Sequence, residues 1–397
     1  MSKLATNSLT DLLGTIPIHK LLNSIPTHSC SKHSNRLEHC AHGLISDGGG
    51  GGGDDGTMQR TDLVAVDKDT SIRQVLEILR RHDLCFLPVY EITLDNTRRY
   101  LSTVSFLDIF TLFGLSPISE EAGLQFDEQN RDKTSFFDKK VSSIISLTPQ
   151  SAKLNILTSN DPIRKSFDVL NSRLNDRALI RFTPCTPATL TQDNLGESLD
   201  EPSSNPLRVI TQSDPIRWLH PFLQDSSSSH LACMTAKDLY LHAKKYDTDT
   251  GNGIPEFAVH SFTPTMVYSI PLTRDLTAAS AFRALWDRKL PCCALVCPRT
   301  GRLEAEWSAF ALRGLDPLNL SSMMKPALQF LKETGQEDVL TVVYEDEGFL
   351  DVVDKVVRGG DRQVWIVDPC RRPVGVITCG DLVAAVCTAV ERTAMEE

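Results

Sequence analysis

Apolar and polar residues follow a pattern along this chain that recurs. Near the C-terminus, Val339–Val343 is a short apolar run, and Gly348–Val357 carries apolar residues at the spacing of an amphipathic helix. The β-rich runs Val364–Val367 and Val374–Thr378 flank a turn rich in proline and charge, and Asp381–Glu391 is a second amphipathic stretch. This region therefore predicts the order strand, helix, strand, strand, helix.

The same order occurs three more times after about residue 60, which predicts an internal repeat and a mixed α/β (α+β) fold. The first copy opens with the strand Leu63–Val66 and closes with Asp108–Leu115. The copies are placed at residues 59–120, 139–245, 258–318 and 325–395. We expect an exposed insertion at 183–206, because this stretch is rich in Pro, Ser, Thr and acidic residues and lacks apolar periodicity.

Residues 1–58 differ from the repeats. Leu12, Ile16, Ile18, Leu21 and Leu22 predict a short apolar helix, which we expect to dock on a partner protein. A Gly- and His-rich stretch follows it and predicts a flexible tether. The histidines and cysteines of this tether have no spacing typical of a zinc site, so no metal is predicted.

Charge and composition exclude several classes of function. Asp and Glu outnumber Lys and Arg by 51 to 41, and a net charge of -10 disfavours nucleic acid as a partner. No apolar run approaches the roughly 18–20 residues that span a membrane. We therefore expect a protein of the cytoplasm or nucleus with reduced cysteines. No phosphate-binding glycine loop or catalytic motif is present, which argues against an enzyme.

Three of the four copies close with the same polar signature, a strand that ends in Ser or Thr, then two residues, then Asp. The pairs are Ser105 and Asp108, Thr211 and Asp214, and Thr378 and Asp381. In the third copy Ser308 is present but Ala311 replaces the acid. A hydroxyl followed three residues later by an acid is also how a helix caps its own N-terminus. The signature alone therefore does not distinguish a helix cap from a functional site.

In its repeat context this signature resembles the end of a cystathionine-β-synthase (CBS) domain. Four such repeats without a catalytic domain are similar to the γ regulatory subunit of the AMP-activated and sucrose-non-fermenting protein kinases. The resemblance implies two repeat pairs, known as Bateman pairs, that form a disc and bind adenine nucleotides between repeats. It also implies that the three Asp residues bind ribose hydroxyls and that Ser105, Thr211 and Thr378 assist them.

Nucleotide phosphates require cations, and each copy has a basic residue near the turn before its second strand. The resemblance implies phosphate contacts by Arg177, Arg362, His82 and Arg288. A guanidinium group suits this task through its planar fork of donors. No such site is expected in the third copy, because Ala311 cannot bind a ribose.

These features together favour a regulatory subunit that is not an enzyme. It would bind AMP, ADP or ATP as regulatory ligands, and its partners would be the catalytic and scaffold subunits of a protein kinase. Two alternatives remain open at this point: a CBS scaffold without a ligand, and a CBS regulator of another enzyme or of a channel.

Overall fold

The computed structural model describes twelve stretches of the chain. They are residues 9–24, 63–82, 84–114, 135–171, 176–182, 207–225, 230–249, 267–288, 290–315, 320–335, 340–359 and 363–396. The predicted tether that follows residue 24 and the predicted insertion at 183–206 lie outside the described residues.

Four small sheets follow one another along the chain, each with two strands after its first helix. The strands are β1 (Val66–Asp67), β2 (Phe86–Ile92), β3 (Arg98–Ser105), β4 (Ile156–Thr158), β5 (Arg177–Arg181), β6 (Leu207–Thr211), β7 (Ser269–Pro271), β8 (Cys292–Val296), β9 (Leu303–Ser308), β10 (Val342–Tyr344), β11 (Gln363–Val367) and β12 (Pro373–Thr378). In every sheet the first strand pairs with the second in parallel, and the second pairs with the third antiparallel.

Each repeat also contains two helical segments, one after its first strand and one after its third. The first helices are Ile72–Arg81, Ile163–Leu170, Ala278–Asp287 and Phe349–Gly359. The closing segments are Phe106–Gly114, Ser213–Asp225, Ala309–Gly314 and Cys379–Glu396. Further short helical segments are Leu9–Thr15, Ile18–Ser24, Ser135–Asp138, Val141–Ser143, Pro149–Ala152, His230–Cys233, Ala236–Asp249, Leu320–Met324 and Ala327–Glu333. The predicted α/β repeat class is confirmed.

The helix Ile72–Arg81 shows why these sequences form these elements. Four of its apolar residues, Ile72, Val75, Leu76 and Leu79, recur at helical spacing and are buried. Ser71 and Gln74 cap its N-terminus with a reciprocal pair of hydrogen bonds. Amphipathic spacing therefore sets the buried face, and the capping pair sets where the helix begins.

The closing segment of the third repeat differs from the others. Ala309–Gly314 is a 3-10 helix, and the side chain of Ser308 makes no capping hydrogen bond. In the first and fourth repeats an Asp three residues after the strand end bonds to the equivalent Ser or Thr, whereas Ala311 offers no acceptor. The missing carboxylate accounts for the missing capping hydrogen bond.

Each repeat is buried on two sides by two different neighbours. The sheets of repeats 1 and 2 pack together through Cys85, Phe86, Leu179 and Val209, and the sheets of repeats 3 and 4 form a similar apolar cluster. The helical sides of repeats 1 and 3 share one large core, and those of repeats 2 and 4 share another. The four repeats thus form a closed ring of contacts built from two pairs.

The chain segments that lead into the repeats are exchanged within each pair. The segment before repeat 2 forms a bridge from Lys140 to Ser71 of repeat 1, and the segment before repeat 1 forms one from Pro17 to Pro162 of repeat 2. The bridges from Thr235 to Gly348 and from Pro326 to Thr277 repeat this exchange in the second pair. Each repeat therefore contributes a segment that completes its partner.

This exchange gives the N-terminal segment a place within its own chain. Leu13, Ile18, Leu21 and Leu22 are each at most 2% exposed and belong to the core of repeats 2 and 4. The backbone N–H of Ile18 donates to Asp161 O over 2.8 Å. The apolar face that we expected to dock on a partner protein is covered by the chain itself.

Two further observations concern cysteines and membranes. The expectation of fully reduced cysteines is wrong for Cys85, which is disulfide-bonded, whereas the other seven cysteines among the described residues are free.

In the described stretches of the chain, no helix is long and apolar enough to cross a bilayer.

If the N-terminal segment is part of the core, Ile18→Ala should lower the free energy of unfolding by about 2–5 kcal/mol, because it leaves a cavity in a closely packed site. Urea denaturation followed by tryptophan fluorescence measures this, since Trp218 lies in the same cluster. Lys20→Ala, at an exposed position of the same helix, is the control and should change little. Equal, small effects of both variants would contradict the packing.

Candidate functional site

The three predicted Ser/Thr and Asp pairs share one local geometry. Oδ2 of each Asp accepts two hydrogen bonds, one from the backbone N–H and one from the hydroxyl of the Ser or Thr three residues earlier. The distances are 2.8 and 2.7 Å at Asp108, 2.7 and 3.0 Å at Asp214, and 2.8 and 2.8 Å at Asp381. The structure therefore brings each predicted pair together, and the capping interpretation holds for one carboxylate oxygen.

The same arrangement also occurs at a surface helix. Oδ2 of Asp238 accepts from the backbone N–H and hydroxyl of Thr235 at 2.9 and 2.7 Å; Asp238 is exposed and Thr235 is partly buried. Capping alone is therefore no sign of a ligand. What distinguishes the candidate sites is the surroundings of the other oxygen, Oδ1.

Asp214 has the most unusual second oxygen. Its side chain is fully buried, at 0% exposure, and Oδ1 has no hydrogen-bond partner among the described residues. Burying a polar atom without a partner is costly, and most buried polar atoms in folded proteins are paired. This oxygen is thus an acceptor that needs a donor.

Arg177 supplies the complementary feature. It is the first residue of β5 rather than a residue of the preceding turn, and its side chain is only 7% exposed. Two of its nitrogens donate to Asp176 at 2.6 and 2.7 Å, and its guanidinium lies over the ring of Phe86 at 4.3 Å. Its third nitrogen, Nη1, is buried and has no hydrogen-bond partner in the described part of the chain.

The strand pairing places Arg177 close to the predicted pair of repeat 2. Arg177 is the register partner of Thr211, and Thr211 holds Asp214. Phe86 belongs to repeat 1, so the guanidinium lies at the contact between the two repeats. Arg177 also acts electrostatically on Asp108, where it favours the charged form. The described residues thus join Asp214, Thr211 and Arg177 at one end of the first pair.

Asp108 has the same capping geometry but a closed environment. It is 1% exposed, and its Oδ1 accepts a hydrogen bond from the hydroxyl of Thr148. Burial raises the pKa of Asp108, although hydrogen bonds from Thr148, Ser151 and Ser105 and the charge of Arg177 act in the opposite direction. This carboxyl offers no open position to a ligand.

Asp381 and Thr378 lie at a more open position. Both are partly buried, and the neighbouring Gly380 faces Gln212 of repeat 2, whose side chain would lie 3.0 Å from a Cβ placed there. The pair therefore sits beside the contact of repeats 2 and 4.

The remaining predicted phosphate contacts are dispersed. His82 and Arg288 occupy equivalent positions as the C-caps of the first helices of repeats 1 and 3. The guanidinium of Arg288 lies 4.0 Å from the ring centroid of Tyr268 in its own repeat. Arg362 lies outside the described residues. A cation at a helix C-terminus complements the helix dipole, which gives His82, when protonated, and Arg288 a structural role.

The second pair fills its corresponding centre with side chains. Cys292 and Gln363 take the place of Phe86 and Arg177, and Gln363 Nε2 lies 3.3 Å from Cys292 Sγ. Gln363 Nε2 and Trp365 Nε1 also donate to Glu306 at 2.7 and 2.8 Å. In repeat 3, Ala311 is buried in the apolar core.

Four residues that define these environments were not predicted from the sequence. Asp176 orients Arg177, Phe86 supports its guanidinium, and Thr148 and Ser151 cover Asp108. The adjacent charges of Asp176 and Arg177 were visible signals. In the sequence, Thr148 and Ser151 are typical of an ordinary helix start, and only the fold brings Thr148 to Asp108, 40 positions earlier.

Comparisons with known proteins agree with this architecture. Residues 56–114 match the family model of the CBS domain. A solved structure from Methanocaldococcus jannaschii, named as a candidate archaeal homolog of γ-AMPK, matches with a TM-score of 0.52 and 16% identity, covering 82% of this chain and 97% of that one. No curated protein matches the chain.

Two other solved structures are more distant. A conserved protein from Pyrococcus horikoshii matches with a TM-score of 0.39 and 11% identity, covering 82% of this chain and 96% of that one. A CBS domain pair in complex with 5′-methylthioadenosine and S-adenosyl-L-methionine matches with a TM-score of 0.25 and 20% identity, covering 31% and 92%.

These findings define the class of protein. The chain therefore contains four copies of one strand order, and the first copy matches the CBS domain. Its fold resembles that of the candidate archaeal homolog of γ-AMPK.

The different burial of two identical motifs predicts opposite effects of pH. The pKa of Asp108 in the folded protein is raised above its ordinary value of 3.8. The contribution of Asp108 to stability is therefore complete below the ordinary pKa and falls as the pH rises through the raised pKa. Hydrogen bonds from Thr235 lower the pKa of Asp238, so its contribution is complete above the ordinary value and is lost on acidification.

Urea unfolding between about pH 2.5 and pH 7 measures both effects, because the contribution of Asp238 is lost only below its ordinary pKa. The stability difference between wild type and Asp108→Asn should fall with rising pH, and the difference for Asp238→Asn should rise. Slopes of the same sign for the two variants would show that Asp108 is not held in a desolvated environment.

Proposed function

We propose that this protein is a regulatory subunit, not an enzyme, that binds an adenine nucleotide between repeats 1 and 2. The observation that carries the proposal is the pair of buried, unpartnered atoms of opposite charge, Asp214 Oδ1 and Arg177 Nη1. An acceptor and a donor left unpaired in one region need a ligand that supplies both kinds of partner.

A ribonucleotide has the required chemistry. Its ribose hydroxyls can donate to Asp214 Oδ1, and its phosphate oxygens can accept from Arg177 Nη1, in hydrogen bonds that are strong because one partner is charged. Asp176 holds the guanidinium in a fixed orientation, so little side-chain entropy is lost on binding. Thr211 is part of the same site through its bond to Asp214.

Thr378 and Asp381 form the second position that we propose for a nucleotide. Asp381 is partly buried beside repeat 2, and its capping geometry matches that of Asp214. His82, Arg288 and Arg362 remain proposed phosphate contacts that rest on the resemblance alone. Ser105 and Asp108 differ from these positions, because Oδ1 of Asp108 already accepts a hydrogen bond from Thr148.

The class of fold supports the proposed regulatory role. CBS domains commonly serve as regulatory modules, and the ring of repeats links each site to two neighbouring repeats. A nucleotide that prefers one arrangement of the ring would shift the equilibrium by its difference in affinity for the two states. We propose AMP, ADP and ATP as ligands, a protein kinase as partner and the cytoplasm or nucleus as location.

A ligand-free scaffold is the second candidate. It is favoured by the closed network around Glu306 in the second pair and by Ala311 in place of the third Asp. Under this hypothesis the carboxylates serve only as helix caps, and their removal costs about 0.5–2 kcal/mol of stability.

Isothermal titration of the full-length chain with AMP, ATP and S-adenosyl-L-methionine tests the site. Asp214→Asn and Arg177→Met should each weaken nucleotide binding by about 10- to 150-fold, because each removes one charge-assisted hydrogen bond of about 1.5–3 kcal/mol. Asp238→Asn is the matched control, since it changes the same motif at an exposed helix, and should bind as wild type does.

The outcomes separate the hypotheses. Absence of binding by folded wild type would reject the proposed function in favour of the scaffold. Tight binding of S-adenosyl-L-methionine with weak binding of AMP and ATP would replace the nucleotide by another adenosyl ligand.

Partner regulation needs its own measurement. Kinase activity recovered with the tagged full-length chain from cells should respond to AMP or ATP, and Asp214→Asn should remove the response without reducing recovery. If the kinase activity recovered with wild type and with Asp214→Asn does not change on addition of nucleotides, a sensing role is contradicted.

A further inference from the structure

Asp108 and Asp214 form a natural comparison, because they have the same capping geometry in the two repeats of one pair. Both are almost fully buried, at 1% and 0% exposure. Oδ1 of Asp214 has no partner among the described residues, whereas Oδ1 of Asp108 accepts a hydrogen bond from Thr148. One segment of chain therefore makes the difference between the two positions.

This segment, residues 146–152, is held firmly against repeat 1. Ser146 has a left-handed φ of 74°, which turns the chain into the helix Pro149–Ala152. The hydroxyl of Ser102 on β3 donates to the carbonyl of Ser151. Thr148 and Ser151 are 4% and 1% exposed.

Two hydroxyls of the segment converge on Asp108. Thr148 Oγ1 donates to Oδ1 of Asp108, Ser151 Oγ lies 3.1 Å from Thr148 Oγ1, and both side chains act to lower the pKa of Asp108. Two adjacent hydroxyls on one carboxylate are also what the ribose 2′- and 3′-hydroxyls of a nucleotide would present. The segment thus satisfies the carboxyl with the same chemistry as a ligand would.

We propose that Thr148 and Ser151 act as an internal substitute for a ribose, so that the site of repeat 1 is closed and the first pair binds one nucleotide, at Asp214. The inference rests on the proposed function for its ligand. Thr148 and Ser151 then determine that a ligand binds at Asp214 and not at the equivalent Asp108.

The burial of Asp108 supports this assignment. A ligand at Asp108 would first have to displace residues 146–152. That displacement would break the hydrogen bonds of Thr148 and of the helix start, and Asp108 would lose these partners while it is buried. At Asp214 a ligand would instead satisfy an atom that has no partner. Binding at Asp214 is therefore favoured over binding at Asp108.

Equilibrium dialysis with AMP, using the full-length chain, counts the nucleotides bound per chain. Asp108→Ala should bind as many AMP molecules as wild type does. The double variant Thr148→Val, Ser151→Ala should bind one more, and adding Asp108→Ala to it should remove the extra site. Thr148→Ser keeps the hydroxyl, and the site should stay closed. Thr235→Val is the control, since Thr235 caps a helix through the exposed Asp238.

Two results would overturn the proposal: loss of a site in Asp108→Ala alone, or no added site in the double variant. Binding by the double variant when wild type binds no AMP would support the closed site and reject the proposed function. Loss of binding in Asp214→Asn without an added site in the double variant would do the reverse.

Amide hydrogen exchange gives a readout that does not depend on the double variant folding. Residues 146–152 should be protected in wild type, and saturating AMP should leave that protection unchanged. Increased exchange of this segment on adding AMP would show that the nucleotide displaces it, and would overturn the proposal.

Discussion

The structure depends on the need of each repeat to bury two apolar faces against two different neighbours. A three-stranded sheet with two helices is too small to hide both its sheet face and its helical face. The sheet of each repeat therefore packs on its pair partner, and its helices pack on a repeat of the other pair. The exchanged lead segments add a third link, and they explain why the N-terminal helices belong to the core.

Pairing of similar repeats brings equivalent positions into contact. A residue difference between the two repeats therefore changes the contacts at the centre of the pair. The first residues of the second strands meet in this way. In the first pair they are Phe86 and Arg177, and a guanidinium stacks on an aromatic ring. In the second pair they are Cys292 and Gln363, which join a closed network with Glu306. Unequal residues on a nearly symmetric frame thus place a buried guanidinium at the centre of one pair and a closed polar network at the centre of the other.

The recurrent Asp after each third strand has a structural and a chemical role that share one carboxylate. Oδ2 always serves the helix N-terminus, and this role also appears at the exposed Asp238. Oδ1 is left to the surroundings, which supply chain hydroxyls at Asp108 and no partner in the described structure at Asp214. A capping motif is therefore compatible with a binding site, and its presence cannot decide whether one exists.

The amino-acid sequence by itself determined the repeat, its strand and helix order, and the pairing of each Ser or Thr with its Asp, because these depend on periodicity and on contacts within a few residues. It also showed that Ala311 breaks the signature. The tertiary structure alone decided which carboxylate oxygen has a hydrogen-bond partner, since Thr148 contacts Asp108 across 40 positions and Arg177 contacts Phe86 in another repeat. Contacts between residues this far apart in the sequence depend on how the sheets and lead segments pack. The local spacing of residues does not predict that packing.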